Sequence, residues 1–473
     1  MVLTIQGNSL VGFGPFTGSV RAAGVEIGTA YDISDLDEQS ARIPIGGSIS
    51  AEVEFDVATM TFTWDTVGDG DLMMMALPHH MDTLTNPTFP HSVKALKGNM
   101  AAVFGEKWIF EEPLTTLTWN SPNGVPENDV EDIKAALAED IANTPCCSDD
   151  PYFGGKQMAV YARLALIAEE LGEDDLAAQA RDKVRPFAEG WLAGTNGNNL
   201  VYDQAWGGII STNGYNDQQA DFGNGMYNDH HYHYGYHIYV AAVLAKADPS
   251  WAAEWNDKIL HLISDISEPS GASDYYPFSR IKDFYNGHGW ASGIFQFNEG
   301  KNQESTSESV AAWYAVYLYG LATNNARVMD LGRLQTALEI RTAWRYWQMT
   351  SAESAFPAPF SDNKVVGIQW SVKVDYNTWF GSNVEFIHCI QMIPYLPISE
   401  ELLRPEWIQE EYEVLKEAYN RPEPQLSEGW KGYIIMARAI IDKFAAFDEA
   451  SQLTAYDDGN TKSNTLYWIV TRP

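Results

Sequence analysis

Near Asp129 the hydrophobic period of this chain changes, and the change limits the fold to two unlike parts. Before it, Ala51-Glu52-Val53-Glu54-Phe55-Asp56-Val57 alternates apolar and polar residues, and Met60-Thr61-Phe62-Thr63-Trp64 does likewise. A period of two lays one face of a strand on a core, so residues 1 to about 120 read as β. Beyond Asp129, apolar residues recur at helical spacing over 130–142, 156–171, 174–192, 230–247, 251–266, 307–321, 330–349, 383–393, 406–419 and 429–444. Ten helices joined by long aromatic and Gly-rich loops suggest an α/α toroid, since no fixed repeat marks a solenoid. The tail Asn464-Thr465-Leu466-Tyr467-Trp468-Ile469-Val470 returns to strand-like composition. The expected fold is mainly α with an N-terminal β module.

Charge narrows the partners. The 473 residues carry 64 acidic and 30 basic side chains, a net charge of −34. That field repels nucleic acid, anionic membranes and uronic-acid polymers, and leaves neutral polymers unaffected. Cys146 and Cys147 are neighbours, a spacing at which a disulfide is strained and rare, and Cys389 lies in an apolar stretch. The N-terminus shows no basic and apolar leader, and no run approaches the ~20 apolar residues of a membrane span. A soluble monomer is expected.

The chemistry concentrates in Tyr227-Asn228-Asp229-His230-His231-Tyr232-His233-Tyr234-Gly235-Tyr236-His237, eleven residues with one carboxylate, four histidines and four tyrosines. Rings with apolar bodies and polar tips suit sugars, which offer faces for stacking and hydroxyls for hydrogen bonds. Asp229 has a plainer reading, as the cap of a helix that begins near His230. His231, His233 and His237 with Asp229 could also ligate a metal, but no His-Glu-x-x-His pattern supports that, and no metal or other cofactor is expected. Asp65 to Asp71 resembles part of a calcium loop whose closing position is Ala76, so it reads as a turn.

A second cluster, Lys301-Asn302-Gln303-Glu304-Ser305-Thr306-Ser307-Glu308, leads into an apolar helix. Glu304 and Glu308 stand four apart, one helical turn. Ser305-x-x-Glu308 is also a capping box, which needs no function. Asp229 with Glu304 gives the acid and base of glycoside hydrolysis, in which one carboxyl protonates the leaving oxygen and the other activates water or attacks the sugar.

These blocks resemble glycoside hydrolase family 81, the endo-β-1,3-glucanases. The likeness rests on Tyr152-Phe153-Gly154-Gly155-Lys156, Asp221-Phe222-Gly223-Asn224, the Tyr227 to Tyr236 run, Tyr285-Asn286-Gly287-His288-Gly289-Trp290-Ala291-Ser292-Gly293, the Gly300 to Glu308 run, Val374-Asp375-Tyr376-Asn377-Thr378-Trp379-Phe380 and the tail from Asn464 to Ile469. It implies a β-sandwich, a linker and an (α/α)6 barrel, here a partial sandwich over 1–120, a linker over 121–150 and the barrel over 151–473. It further implies endo-acting hydrolysis of β-1,3-glucan with inversion and no metal. By position Asp229 resembles the family's general acid, Glu304 its general base and Glu308 a third carboxylate that places water or sugar. Tyr152, Lys156, His230, His231, His233, Asp283 and Trp290 are the expected sugar contacts. The family's sandwich is longer than the ~120 residues before the helical part, so its first half is expected to be missing here. The resemblance suggests a secreted or wall-associated protein. The rival functions are an α/α-barrel glycosidase on another neutral β-glucan, a polysaccharide lyase, and a non-catalytic glucan-binding protein.

Overall fold

The alternation of the first part becomes short antiparallel sheets. The computed structural model describes residues 3–6, 9–12, 39–85, 92–295, 297–422 and 425–473, and the β reading of the other N-terminal residues lies outside it. The strands are β1 (Leu3–Gln6), β2 (Ser9–Gly12), β3 (Ile43–Glu54), β4 (Val57–Val67), β5 (Met73–Ala76), β6 (Ser92–Ala95), β7 (Gly98–Phe104) and β8 (Lys107–Pro113). They form a β1-β2 pair and two three-stranded sheets, ordered β3-β4-β8 and β5-β7-β6. Along β4 the alternation is used as expected, with Ala58, Met60 and Phe62 buried. Phe62 meets Phe110 and Trp108 of β8, with ring centroids 5.0 and 6.4 Å apart. The alternation at 51–57 is not one strand, because a turn at Phe55-Asp56 joins β3 to β4. Phe55 takes the left-handed conformation there (φ 54°), which a tight turn can demand of a non-glycine residue.

The chain divides into two compact units, Met1–Glu52 with Thr59–Glu111, and Val53–Ala58 with Glu112–Pro473. In the second unit helices dominate: α1 (Val130–Asn143), α2 (Pro151–Glu170), α3 (Asp174–Ala193), α4 (His230–Ala247), α5 (Pro249–Ile266), α6 (Thr306–Thr323), α7 (Ala326–Tyr346), α8 (Val384–Cys389), α9 (Pro405–Tyr419), α10 (Glu428–Arg438), α11 (Lys443–Ala450) and α12 (Lys462–Val470). Between them run short strands: β9 (Leu200–Asp203), β10 (Gly208–Ser211), β11 (Lys282–Asp283), β12 (His288–Gly289), β13 (Asn302–Gln303), β14 (Ile368–Trp370) and β15 (Val374–Asp375). Helix α1, inside the stretch expected as a linker, packs on α2, α3 and α12. Among the described residues no helix is long and apolar enough to cross a membrane.

The centre of this unit is α4, packed between α2 and α6. Every residue from His230 to Ala245 is buried, so the helix has no polar outer face. Two glycines let its neighbours approach. A Cβ on Gly235 would stand 2.6 Å from the Cβ of Ala312 on α6, and one on Gly155 of α2 would stand 2.9 Å from Cδ2 of His237. Both distances are shorter than carbon atoms tolerate, so only glycine permits these helix spacings. The start of α2 is set by Asp150, whose carboxylate accepts from the amides of Tyr152 (2.8 Å) and Phe153 (2.7 Å), with Pro151 at the first position.

Three sequence readings change. The tail is helix α12, not strand: Thr461 caps it, accepting from the amide of Asn464 (3.2 Å). Residues Ser463 to Val470 are all buried, and a helix enclosed on every side carries no period to read. The stretch 429–444 is two helices, separated where Asp442 accepts from the amide of Ala445 and starts α11. The stretch 383–393 is helical only through Cys389, and the chain runs on to Pro394 in turns. Cys146 and Cys147 are joined as neighbours, and Cys389 is a buried thiol.

Candidate active site

Asp229 occupies the cap position of α4, but caps nothing. Its backbone is left-handed (φ 61°, ψ 15°) and its carboxylate accepts no hydrogen bond from the helix. Asp221, Phe222 and Tyr227 also have positive φ, at 51°, 60° and 63°. Non-glycine residues held there cost energy, and such strain gathers where a side chain must be aimed. Two contacts fix the entry: the Tyr227 hydroxyl donates to Asp203 at 2.9 Å, and the Arg280 guanidinium lies 4.0 Å from the Tyr227 ring centre.

A main-chain relay joins this loop to the second carboxylate. The amide of Asp229 donates to the carbonyl of Ala291 (2.9 Å), and the amide of Ala291 donates to the carbonyl of Asn302 (2.8 Å) in β13. Glu304 follows β13 directly. One of its carboxylate oxygens accepts from the amide of Trp379 at 2.8 Å, and its carbonyl accepts from Gln391 at 2.7 Å.

The third carboxylate settles the capping-box question. Ser305 caps α6 by accepting from the amide of Glu308 (3.3 Å). The return bond of the box is missing, because the Ser305 amide donates to the Tyr232 hydroxyl instead (3.1 Å). Glu308 turns away from the cap, and its Oε1 accepts from the hydroxyls of Tyr152 and Tyr236, each at 2.8 Å.

The three acids lie within electrostatic reach of one another. Burial pushes Asp229 well above the usual carboxylate range, and the charges of Glu304 and then Glu308 push it further. Glu304 is raised to about 7, first by burial and also by Glu308, while the Trp379 amide pulls it down. Asp229 is thus biased toward the protonated form while Glu304 is raised only to about 7, an asymmetry of the kind that acid-base hydrolysis uses.

The histidines take a different part from the one expected. His230 is fully buried, with Nδ1 2.5 Å from Asp265 and Nε2 2.9 Å from the carbonyl of Asn224. Both ring nitrogens are occupied by protein, so it supports the Asp229 loop from beneath and is no sugar contact. His231 is as buried, with Nε2 3.2 Å from Gln303, and burial lowers it to about 3. His233 reaches Asn224 at 3.2 Å, and burial holds it neutral. Lys156 is buried and paired with Asp457 at 2.9 Å, on the wall of the cavity that Glu308 and Tyr236 also line. Asp283 shapes a turn, accepting from the amides of Tyr285 and Asn286 and from the indole of buried Trp290 (3.0 Å). Asp283 and Trp290 thus tie the β11–β12 loop together. Tyr152 stays at the site through its bond to Glu308. Among the described residues no group of three or more His, Cys, Asp or Glu is placed to hold a metal ion.

Exposed aromatic rings lie near the carboxylates. Phe222 is exposed and lies 5.7 Å, centroid to centroid, from Tyr152. Trp379 is 56% exposed and stands 5.6 Å from both Trp370 and Phe297. Half-exposed rings thus stand near Glu308, through Tyr152, and near Glu304. The sequence signal for Trp379 was its place in the Val374 to Phe380 block. Nothing local in the sequence points to its amide.

Acids that resist ionisation beside apolar ring faces are what chemistry on neutral sugars asks of a site, and comparison with known proteins falls in that class. Residues 1–122 match the glycosyl hydrolase family 81 N-terminal domain and residues 124–470 its C-terminal domain. The chain belongs to glycosyl hydrolase family 81. A glucan endo-1,3-beta-D-glucosidase of Glycine max is 34% identical over 97% of this chain and 70% of its own length. A primary septum glucan endo-1,3-beta-D-glucosidase of Schizosaccharomyces pombe is 31% identical over 96% of this chain and 47% of its own. The solved structure of a mutant family 81 glycoside hydrolase from Clostridium thermocellum superposes with a TM-score of 0.83 at 25% identity, covering 93% of this chain and 62% of that one. The chain therefore spans about half to about 70% of the length of these relatives.

Proposed function

We propose that this chain is an endo-acting glycoside hydrolase that cleaves β-1,3-glucosidic linkages of neutral glucans with inversion at the anomeric carbon. Asp229 protonates the departing glycosidic oxygen. Glu304 takes a proton from the attacking water, and Glu308, held by two phenols, orients water or sugar. The observation that carries this reading is the uncapped, raised carboxyl of Asp229 within electrostatic reach of Glu304 and Glu308. Endo action on β-1,3 linkages is supported by the names of the relatives.

The helical second unit is read as an (α/α)6 barrel over 151–473, entered through a linker at 121–150, with residues 1–120 as part of a β-sandwich. Phe222 and Trp379 are read as stacking platforms for the glucan on either side of the scissile bond, a role their exposure supports. Hydrolysis of laminarin followed by NMR tests linkage, endo action and inversion together. Mixed-length products whose new reducing ends first appear as the α-anomer are expected. Initial β-anomer overturns inversion, and binding without new reducing ends overturns catalysis.

A further inference from the structure

We propose that Tyr376 and His388 are positioning residues for Glu304, acting through the loop that carries Trp379; the proposal rests on the reading of Glu304 as general base. Behind the site lies a polar chain that neither the carboxylates nor the sugar platforms use. Glu411 of α9 and His388 of α8 are fully buried, with Oε1 of Glu411 2.6 Å from Nδ1 of His388. The other imidazole nitrogen, Nε2, lies 2.8 Å from the hydroxyl of Tyr376. A carboxylate on Nδ1 fixes the proton there, which leaves Nε2 to accept from the phenol.

Tyr376 is the stem of the loop after β15. Three residues on, the amide of Trp379 makes its 2.8 Å bond to the carboxylate of Glu304. The tip is closed by Thr378, whose amide and hydroxyl both donate to the carbonyl of Gly381, at 2.9 and 2.7 Å. Trp379 and Phe380 are about half exposed, and their rings rest on Trp370 and Phe297 and on Phe386 and Trp430. Ring packing holds the tip side chains, and the stem that sets the main chain is tied by the Tyr376 hydroxyl to a buried, charge-assisted pair. The charged and titratable groups facing Glu304 are Asp229, Glu308, Tyr152 and Tyr232. Against them the Trp379 amide is the donor that favours the ionised carboxylate.

The test is Tyr376→Phe, which removes one oxygen and keeps the ring, assayed on laminarin with Glu304→Gln in parallel. The expected result is a fall of about tenfold in kcat, little change in KM, and an acidic limb of kcat/KM moved to higher pH. The direction follows because a loosened amide leaves the anion less favoured, so more alkali is needed to ionise it. An unchanged limb overturns the proposal, whether activity is intact or falls only in step with the melting temperature. Near-normal turnover by Glu304→Gln overturns the base assignment itself, a result that the Tyr376→Phe limb cannot mimic.

Discussion

The phenol of Tyr236 on α4 donates to Glu308 on α6 across 2.8 Å, and Tyr152 of α2 donates to the same oxygen. Three helices therefore meet on one carboxylate atom. Tyr236→Phe removes one of these donors while keeping the ring in its buried place. Hydrogen bonds to a charged group are worth about 1.5–3 kcal/mol, so a roughly tenfold loss in kcat/KM on laminarin is expected. Steady-state kinetics check it, and full activity would show that Glu308 is held well enough by Tyr152 alone.

Asp229→Asn separates activity from stability. Loss of a general acid typically costs roughly 10²- to 10⁴-fold, and kcat on laminarin should fall by at least that. The fold should gain. A carboxyl raised on folding costs nothing below its unfolded pKa of ~4, then destabilises as pH rises toward its folded value. Asparagine cannot ionise, so the variant should melt higher than the parent at pH 7 and no higher at pH 3. Melting curves at the two pH values show whether the sign is right.

Glu304 must be ionised to accept a proton, and burial with Glu308 lifts it to about 7. The acidic limb of kcat/KM should therefore fall near neutrality. Because the acids interact, the limbs belong to the group rather than to single residues. Glu308→Gln removes a charge that raises both partners, so its residual activity should extend to lower pH. A parent limb near pH 4 would contradict the buried setting of Glu304.

Trp379 gives a test of the sugar platforms. Trp379→Ala removes an exposed ring but leaves the amide that serves Glu304. Stacking on an aromatic face contributes on the order of 1 kcal/mol, so KM for long β-1,3-glucans should rise about fivefold with a smaller change in kcat. An unchanged KM across chain lengths would remove Trp379 from the binding surface.

How much of this was legible in the sequence depended on how each residue is enclosed. Helix α4 was read to its observed ends, because an acid and a run of good packing residues open it and Asp248 closes it. Helix α12 was missed because every side of it is packed. The block around Asp229 drew the eye correctly to the carboxylate, but imidazoles that face protein and imidazoles that face sugar look alike in sequence. Only the bonds of His230 to Asp265 and of His233 to Asn224 distinguish the two. The amide partner of Glu304 lies 75 positions away and is main chain, so no residue type could announce it.

The close contact of Gly235 with Ala312 has a consequence for the reaction itself. Asp229 lies at the head of one of these two helices and Glu304 just ahead of the other. The thickness of their seam thus acts as a gauge on how far apart acid and base stand, with hydrogen as the shim. In glycoside hydrolysis that gap decides whether a water fits opposite the leaving group. A single methyl at position 235, on the wall of the cavity that Glu308 also lines, would press the two helices apart and shift the acid relative to the base.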